Sequence, residues 1–181
     1  MGAALVALPA DTELFGAVRR TVGTERNDLY DTVNSLGDGR TLVALLGGMY
    51  LLGSRNDKDT ATLAFAALVN TGIQTEGLKR LTGRARPGMD DGGDFEGPRI
   101  SQGYTSFPSG HTGAAFAVAT VLAKRHPKQK WLYYGLASAV GLSRIQKGAH
   151  FPGDVLAGAA IGIYTGNWTV KHGPRLIEIR F

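Results

Sequence analysis

From Thr41 onward the chain alternates uncharged apolar blocks with short polar punctuation: Thr41 to Ser54, Thr60 to Thr75, Thr112 to Ala123, Trp131 to Ser143 and Val155 to Val170. Each block suits a helix of several turns, and none shows the strict alternation with hairpin signals that marks strands. The pattern therefore predicts an all-α fold, a compact bundle of about five or six helices with the functional site at one end. The first forty residues read as amphipathic helical material, with Leu14, Phe15 and Val18 on one stripe and Arg19, Arg20 and Glu25 off it. Gly37-Asp38-Gly39 breaks that pattern. The whole is a single domain over 1–181: an N-terminal helical segment (1–40), a helical bundle (41–170) and a tail (171–181) whose Ile177 to Phe181 alternates like extended chain.

The last block carries Gly158, Gly162 and Gly166, each four residues from the next. On a helix they form a flat stripe that lets another backbone come close, as in membrane helix pairs and in tightly packed soluble bundles. Charge follows the helical alternation. If the blocks run up and down, Arg55 and Lys58, the group Lys124, Arg125, Lys128 and Lys130, and Lys171 with Arg175 all fall at one end. His150, Asp154 and the acidic loop after Pro87 fall at the other. A membrane protein with its site facing outward shows this asymmetry.

Composition sharpens the picture in a few places. At 181 residues the chain has room for one full core. It has no cysteine, which excludes disulfides and thiolate metal sites. A net charge of +5 suits anionic partners. Nucleic acid is the weaker choice and is not expected as a partner, because the cations form no run interleaved with aromatics. None of the uncharged runs reaches the roughly 18 to 20 apolar residues of a confident spanning helix, and the mean hydropathy of −0.06 reads as soluble. Run length thus argues against spanning a membrane, and charge topology argues for it. Met1 to Ala10 is a short apolar start without a basic region, compatible with the remnant of a removed segment.

Three polar constellations interrupt the helical pattern. Lys79-Arg80-Leu81-Thr82-Gly83-Arg84-Ala85-Arg86-Pro87 places cations where Gly83 and Pro87 end a helix, so that they converge at its mouth. Pro108-Ser109-Gly110-His111 opens the next block. Ser109 is a natural N-cap, the N–H groups around Gly110 face an anion with the helix dipole behind them, and His111 can move a proton. Finally, Ser143 to Asp154 packs Arg144, His150 and Asp154 into twelve residues. With Pro152 in a first helical turn, Asp154 can hydrogen-bond one imidazole nitrogen of His150 and orient the other. A guanidinium beside an oriented imidazole suggests phosphate chemistry.

Together these read Lys-x6-Arg-Pro, Pro-Ser-Gly-His and Ser-Arg-x5-His-x3-Asp, in that order and without mismatch at eleven defined positions. The set resembles the signature of the type 2 phosphatidic acid phosphatase superfamily, which includes lipid phosphate phosphatases, bacterial acid phosphatases and vanadium-dependent haloperoxidases. The resemblance implies a phosphatase in which His150 is the nucleophile and forms a phosphohistidine, Asp154 orients it, and His111 protonates the leaving oxygen and then activates water. It implies that Lys79, Arg86, Ser109, Gly110 and Arg144 hold the phosphate oxygens, with no metal and no cofactor. The expected substrate is a phosphomonoester or pyrophosphate of a lipid. The alternatives are a non-specific acid phosphatase on soluble monoesters and a haloperoxidase with vanadate in place of phosphate. The expected setting is the cell envelope, membrane-associated with an extracytoplasmic site, a soluble periplasmic form being the alternative. Asp90, Asp91, Asp94 and Glu96 have the wrong spacing for a calcium loop and read as solvated. That loop is expected to overhang the site, with Phe95, Tyr104 and Phe107 as apolar contacts. Arg84 and Lys147 match no motif position and are expected to add positive potential without touching phosphate.

Overall fold

The computed structural model describes residues 10–24, 28–89, 92–99 and 101–175. Met1 to Pro9, Glu25, Asp90, Asp91 and the stretch Ile177 to Phe181 lie outside the described residues. Two helices come from the N-terminal segment: α1 (Asp11–Val22) and α2 (Asp28–Ser35). Five more make the bundle: α3 (Gly39–Leu52), α4 (Arg55–Thr82), α5 (Gly110–Arg125), α6 (Lys130–Gln146) and α7 (Pro152–His172). Each of the five predicted blocks lies within, or overlaps, one of these. The helices outrun the apolar blocks because capped polar turns extend them. Asp38 accepts the Arg40 N–H at 2.9 Å at the start of α3, and Ser54 with Asp57 forms a reciprocal capping box at the start of α4. Among the described residues there is no strand, only an isolated bridge between Arg84 and Phe95.

Helix α5 is central and packs against α4, α6 and α7. One core joins Leu42 and Leu46 of α3 to Ala64, Ala67 and Leu68 of α4 and Ala117, Val118 and Val121 of α5. The glycine stripe seats α7 on α5. A β-carbon at Gly158 would lie 2.4 Å from the Ser109 carbonyl oxygen, and one at Gly162 would lie 2.3 Å from that of Gly113. Only hydrogen fits there, so the two backbones touch. This contact carries the N-terminal turn of α5 against that of α7, and the Ser109 N–H donates to the Asp154 carbonyl at 3.0 Å. At the other end of these helices Arg125, at the end of α5, donates to Thr60 near the start of α4 at 3.1 Å.

No helix among the described residues is long and apolar enough to cross a membrane. Large apolar side chains nevertheless face outward on α3, α4, α6 and α7, among them Leu51, Leu52, Phe65, Ile73, Trp131 and Tyr164.

In α1 the structure corrects the expected stripe. Leu14 is exposed, and the inward face is led instead by Asp11, with Phe15, Val18 and Arg19 half-buried behind it.

Candidate active site

Three chain segments end at the same place: the C-terminal end of α4 with its following loop, the start of α5, and the α6–α7 junction. Helix α4 stops at Thr82 because Gly83 takes the left-handed conformation at φ 52° and returns its N–H to Lys79. A β-carbon there would run into the Gly97 carbonyl, so the position accepts only glycine. The loop then folds back over the helix end through backbone pairs such as Ala85 N–H to Asp94 O at 2.9 Å and Arg86 N–H to Gly103 O at 2.9 Å.

The structure brings Lys79 of the first motif to the start of α5. The Lys79 ammonium pairs with Glu76 at 2.7 Å and lies where a β-carbon of Gly110 would meet it at 3.1 Å. Arg86 donates to the Thr105 hydroxyl at 3.1 Å, while its buried Nε has no partner among the described residues. Arg144 donates to Asn34 of α2 at 2.6 Å, and its Nε likewise has no partner among the described residues. Burial, then the neighbouring Arg86, lowers the Arg144 pKa to about 10. Two neighbouring guanidinium groups with unpartnered Nε donors have the chemistry to attract an anion.

Ser109 departs from its expected role. It occupies the N-cap position of α5, but its hydroxyl pairs with the Thr112 hydroxyl at 2.9 Å and makes no side-chain cap. The first-turn N–H groups of α5, Gly110 included, are thereby left to an incoming oxyanion. His111 follows them, and its pKa is lowered to about 4 by burial and then by Arg144, with His150 and Lys79 contributing. In these surroundings His111 is neutral at pH 7.

His150 is held differently from the sequence-based expectation. Its Nδ1 lies 2.7 Å from the Ser106 carbonyl oxygen and 3.6 Å from Asp154 Oδ2. The nearer acceptor is the carbonyl, since 3.6 Å is beyond hydrogen-bond reach. A carbonyl cannot donate, so Nδ1 carries the proton and Nε2 keeps its lone pair. Asp154 acts one bond further back: its Oδ2 accepts from the Ser106 hydroxyl at 2.6 Å and from the Phe151 N–H at 2.9 Å. Burial lowers the His150 pKa, opposed by Asp154. For Asp154 burial works against ionisation, but its His150, Arg84 and Ser106 neighbours outweigh this and hold its pKa below the ordinary carboxylate value.

Two residues absent from the motif reading complete this cluster. Arg84, expected only to add positive potential without touching phosphate, is 2% exposed and sits between the rings of Phe95 and Phe151 at 5.0 and 4.5 Å. Its Nη1 meets Asp154 Oδ1 at 2.6 Å and Asp11 Oδ2 at 2.8 Å. Ser106 is the other, fully buried and bonded to both Asp154 and His150. A cation in an Arg-x-Arg pair beside the small Ala85 was the only sequence signal for Arg84. Lys147, by contrast, points away and pairs with Asp31 at 2.5 Å. Phe95 and Phe107 pack edge to face at 5.7 Å, with Phe95 roofing Arg84.

The chain is similar to known proteins in sequence and in fold. The family model of the PAP2 superfamily matches residues 60–177, and the chain belongs to that superfamily. It is 37% identical over 101 residues to a protein named lipid A 1-phosphatase from Rhizobium etli, covering 54% of this chain and 44% of that protein. It is 35% identical over 97 residues to phosphatidylglycerophosphatase B of Bacillus subtilis, covering 48% of this chain and 44% of that one. The chain thus spans less than half the length of these curated relatives. The crystal structure of Aquifex aeolicus LpxE superposes with a TM-score of 0.72 at 29% identity, over 90% of this chain and 95% of that one.

Proposed function

We propose that this chain is a metal-independent phosphatase that hydrolyses a phosphomonoester or pyrophosphate of a lipid through a phosphohistidine on His150. The observation that carries this reading is the contact of His150 Nδ1 with the Ser106 carbonyl, which leaves the lone pair on Nε2 of an imidazole that feels the charges of Arg144 and Arg86. In this mechanism Lys79, Arg86, Arg144 and the α5 N–H groups at Gly110 hold the non-bridging oxygens, where charge is spread in the transition state. Ser109, whose hydroxyl is shared with Thr112, contributes a further donor. His150 Nε2 attacks phosphorus, the bond to the alcohol or phosphate leaving oxygen breaks, and His111 gives that oxygen its proton. His111 then takes a proton from water, whose oxygen displaces the imidazole and releases phosphate.

His111 can serve as the acid only if the bound anion raises its pKa. A dianion beside it cancels the repulsion from Arg144 and Lys79, so binding and protonation go together. A lipid substrate is supported by the relatives named for lipid A and phosphatidylglycerophosphate, and by the outward-facing apolar side chains. The same features support membrane association in the cell envelope, and the separation of the basic junctions from His150 and Asp154 along the chain supports an extracytoplasmic site.

The test is phosphate release from a panel of lipid phosphates, lipid pyrophosphates and soluble monoesters, with and without detergent and EDTA. The expected result is turnover concentrated on lipid substrates in detergent and unchanged by EDTA. Turnover confined to soluble esters, or abolished by EDTA, would overturn the lipid or the metal-free part respectively.

A further inference from the structure

The N-terminal segment precedes the stretch matched to the family, yet one face of α1 is seated on the loop that carries His150. Asp11 Oδ1 accepts the Gly153 N–H at 2.6 Å, at the first turn of α7. One turn on, Phe15 packs against Phe151 with ring centres 5.4 Å apart. A further turn on, the Arg19 guanidinium lies over Phe15 at 5.3 Å, where a β-carbon of Gly148 would meet it at 3.7 Å. These positions recur every four residues, so a single helical stripe spans the loop from 148 to 153.

The lead residue of that stripe is a buried charge. Asp11, Arg84 and Asp154 are 1%, 2% and 0% exposed, and Arg84 Nη1 bridges the two carboxylates. Enclosing three charges carries a large desolvation cost, and apolar residues would seat a helix at lower free energy. A structural role alone therefore accounts poorly for Asp11.

We propose that Asp11 is a positioning residue for His150, acting through the Gly153 N–H and through Arg84. This rests on the phosphatase reading and deepens it. By fixing the Gly153 N–H, Asp11 sets the entry of α7, and by holding Arg84 it directs Nη1 onto Asp154 Oδ1. Asp154 Oδ2 is then free for Ser106 and the Phe151 N–H, and Ser106 sets the ring of His150. The charged groups facing His150 are Asp154 from α7, Arg144 from α6, His111 from α5 and Arg86 from the loop after α4, with Arg84 and then Asp11 behind Asp154. Removing Asp11's charge leaves Arg84 less compensated and disfavours the imidazolium. Removing Arg84's charge does the reverse.

The experiment follows the His150 ring titration by 15N NMR in the full chain, with the resonance assigned by its absence in His150→Gln. On the same samples kcat and KM are measured for whichever lipid phosphate the wild type turns over. Asp11→Asn is expected to lower kcat by about ten- to a hundredfold with KM little changed. It is expected to move the His150 titration down by about half a pH unit or more, and Arg84→Gln to move it up. Asp11→Glu, which restores the charge, is expected to recover most of the kcat. An unchanged kcat, or a loss that tracks the unfolded fraction while folded molecules titrate as wild type, would overturn the proposal. If Asp11→Asn does not fold, Asp11→Ser removes the same charge and keeps an acceptor for Gly153. The titration needs no turnover, so a wild type that releases no phosphate would refute the phosphatase reading while the coupling is still decided.

Discussion

The carbonyl oxygen of Ser106 lies 2.7 Å from Nδ1 of His150, closer than the carboxylate of Asp154. The orienting contact on the imidazole is thus a backbone group, which no side-chain substitution at position 106 removes. Ser106→Ala deletes only the hydroxyl bond to Asp154 and keeps the carbonyl. It is expected to lower kcat modestly, by about five- to tenfold, the worth of part of one charge-assisted hydrogen bond. Asp154→Asn disturbs Arg84, Ser106 and the Phe151 N–H together and is expected to cost about a hundredfold or more. Steady-state kinetics on the two variants checks the ranking, and equal losses would contradict it.

Anion binding and proton uptake should be linked. A histidine whose folded pKa is lowered binds fewer protons folded than unfolded between the two values. For His111, with a pKa moved from 6.5 to about 4, the protein without a bound anion therefore loses stability as pH falls from 6.5 toward 4 and is unaffected above that window. Sulfate keeps its charge over the same range and raises the pKa of both histidines when bound. Competitive inhibition by sulfate is expected to tighten as pH falls, by up to about tenfold per pH unit for each proton taken up. An inhibition constant independent of pH between neutrality and the acid limit of folding would contradict the linkage.

The α5–α7 contact gives a sharp stability test. A β-carbon at Gly162 meets Gly113 O at 2.3 Å and Ala117 N at 2.8 Å, both backbone atoms that cannot swing aside. Gly162→Ala is expected to destabilise by about 3 kcal/mol despite its better helix propensity. Gly47 lies inside α3, and a β-carbon there would have no neighbour within 4 Å, so Gly47→Ala is expected to stabilise by about 0.5 to 1 kcal/mol. Denaturant melts of the two variants should move in opposite directions.

The helices were legible in the sequence because apolar periodicity is local, and the residues proposed to hold phosphate could be picked out because their spacing is carried by three short motifs. What was not legible shares one property. Arg84 meets Asp154 seventy positions on, Ser106 reaches it from forty-eight positions back, and Asp11 meets Gly153 across 142. Such pairings are decided by the fold, which brings the starts of α1, α5 and α7 together, and no local pattern encodes that. The four-residue spacing of His150 and Asp154 suggested a direct bond. Pro152 starts α7 between them, and Asp154 turns back to the Phe151 N–H, which places its carboxylate beside Ser106 instead. In α1 a charged residue on the inward face disguised the stripe that docks.

The central claim is that phosphorus passes through His150. Rapid acid-free quenching during single turnover, followed by peptide mapping under alkaline conditions that preserve phosphohistidine, tests it directly. The mechanism predicts a transient phosphate on the peptide containing His150, formed and lost at rates consistent with kcat, and absent from a folded His150→Ala protein that releases no phosphate. A phosphorylated residue elsewhere, or undiminished turnover in His150→Ala, would contradict it.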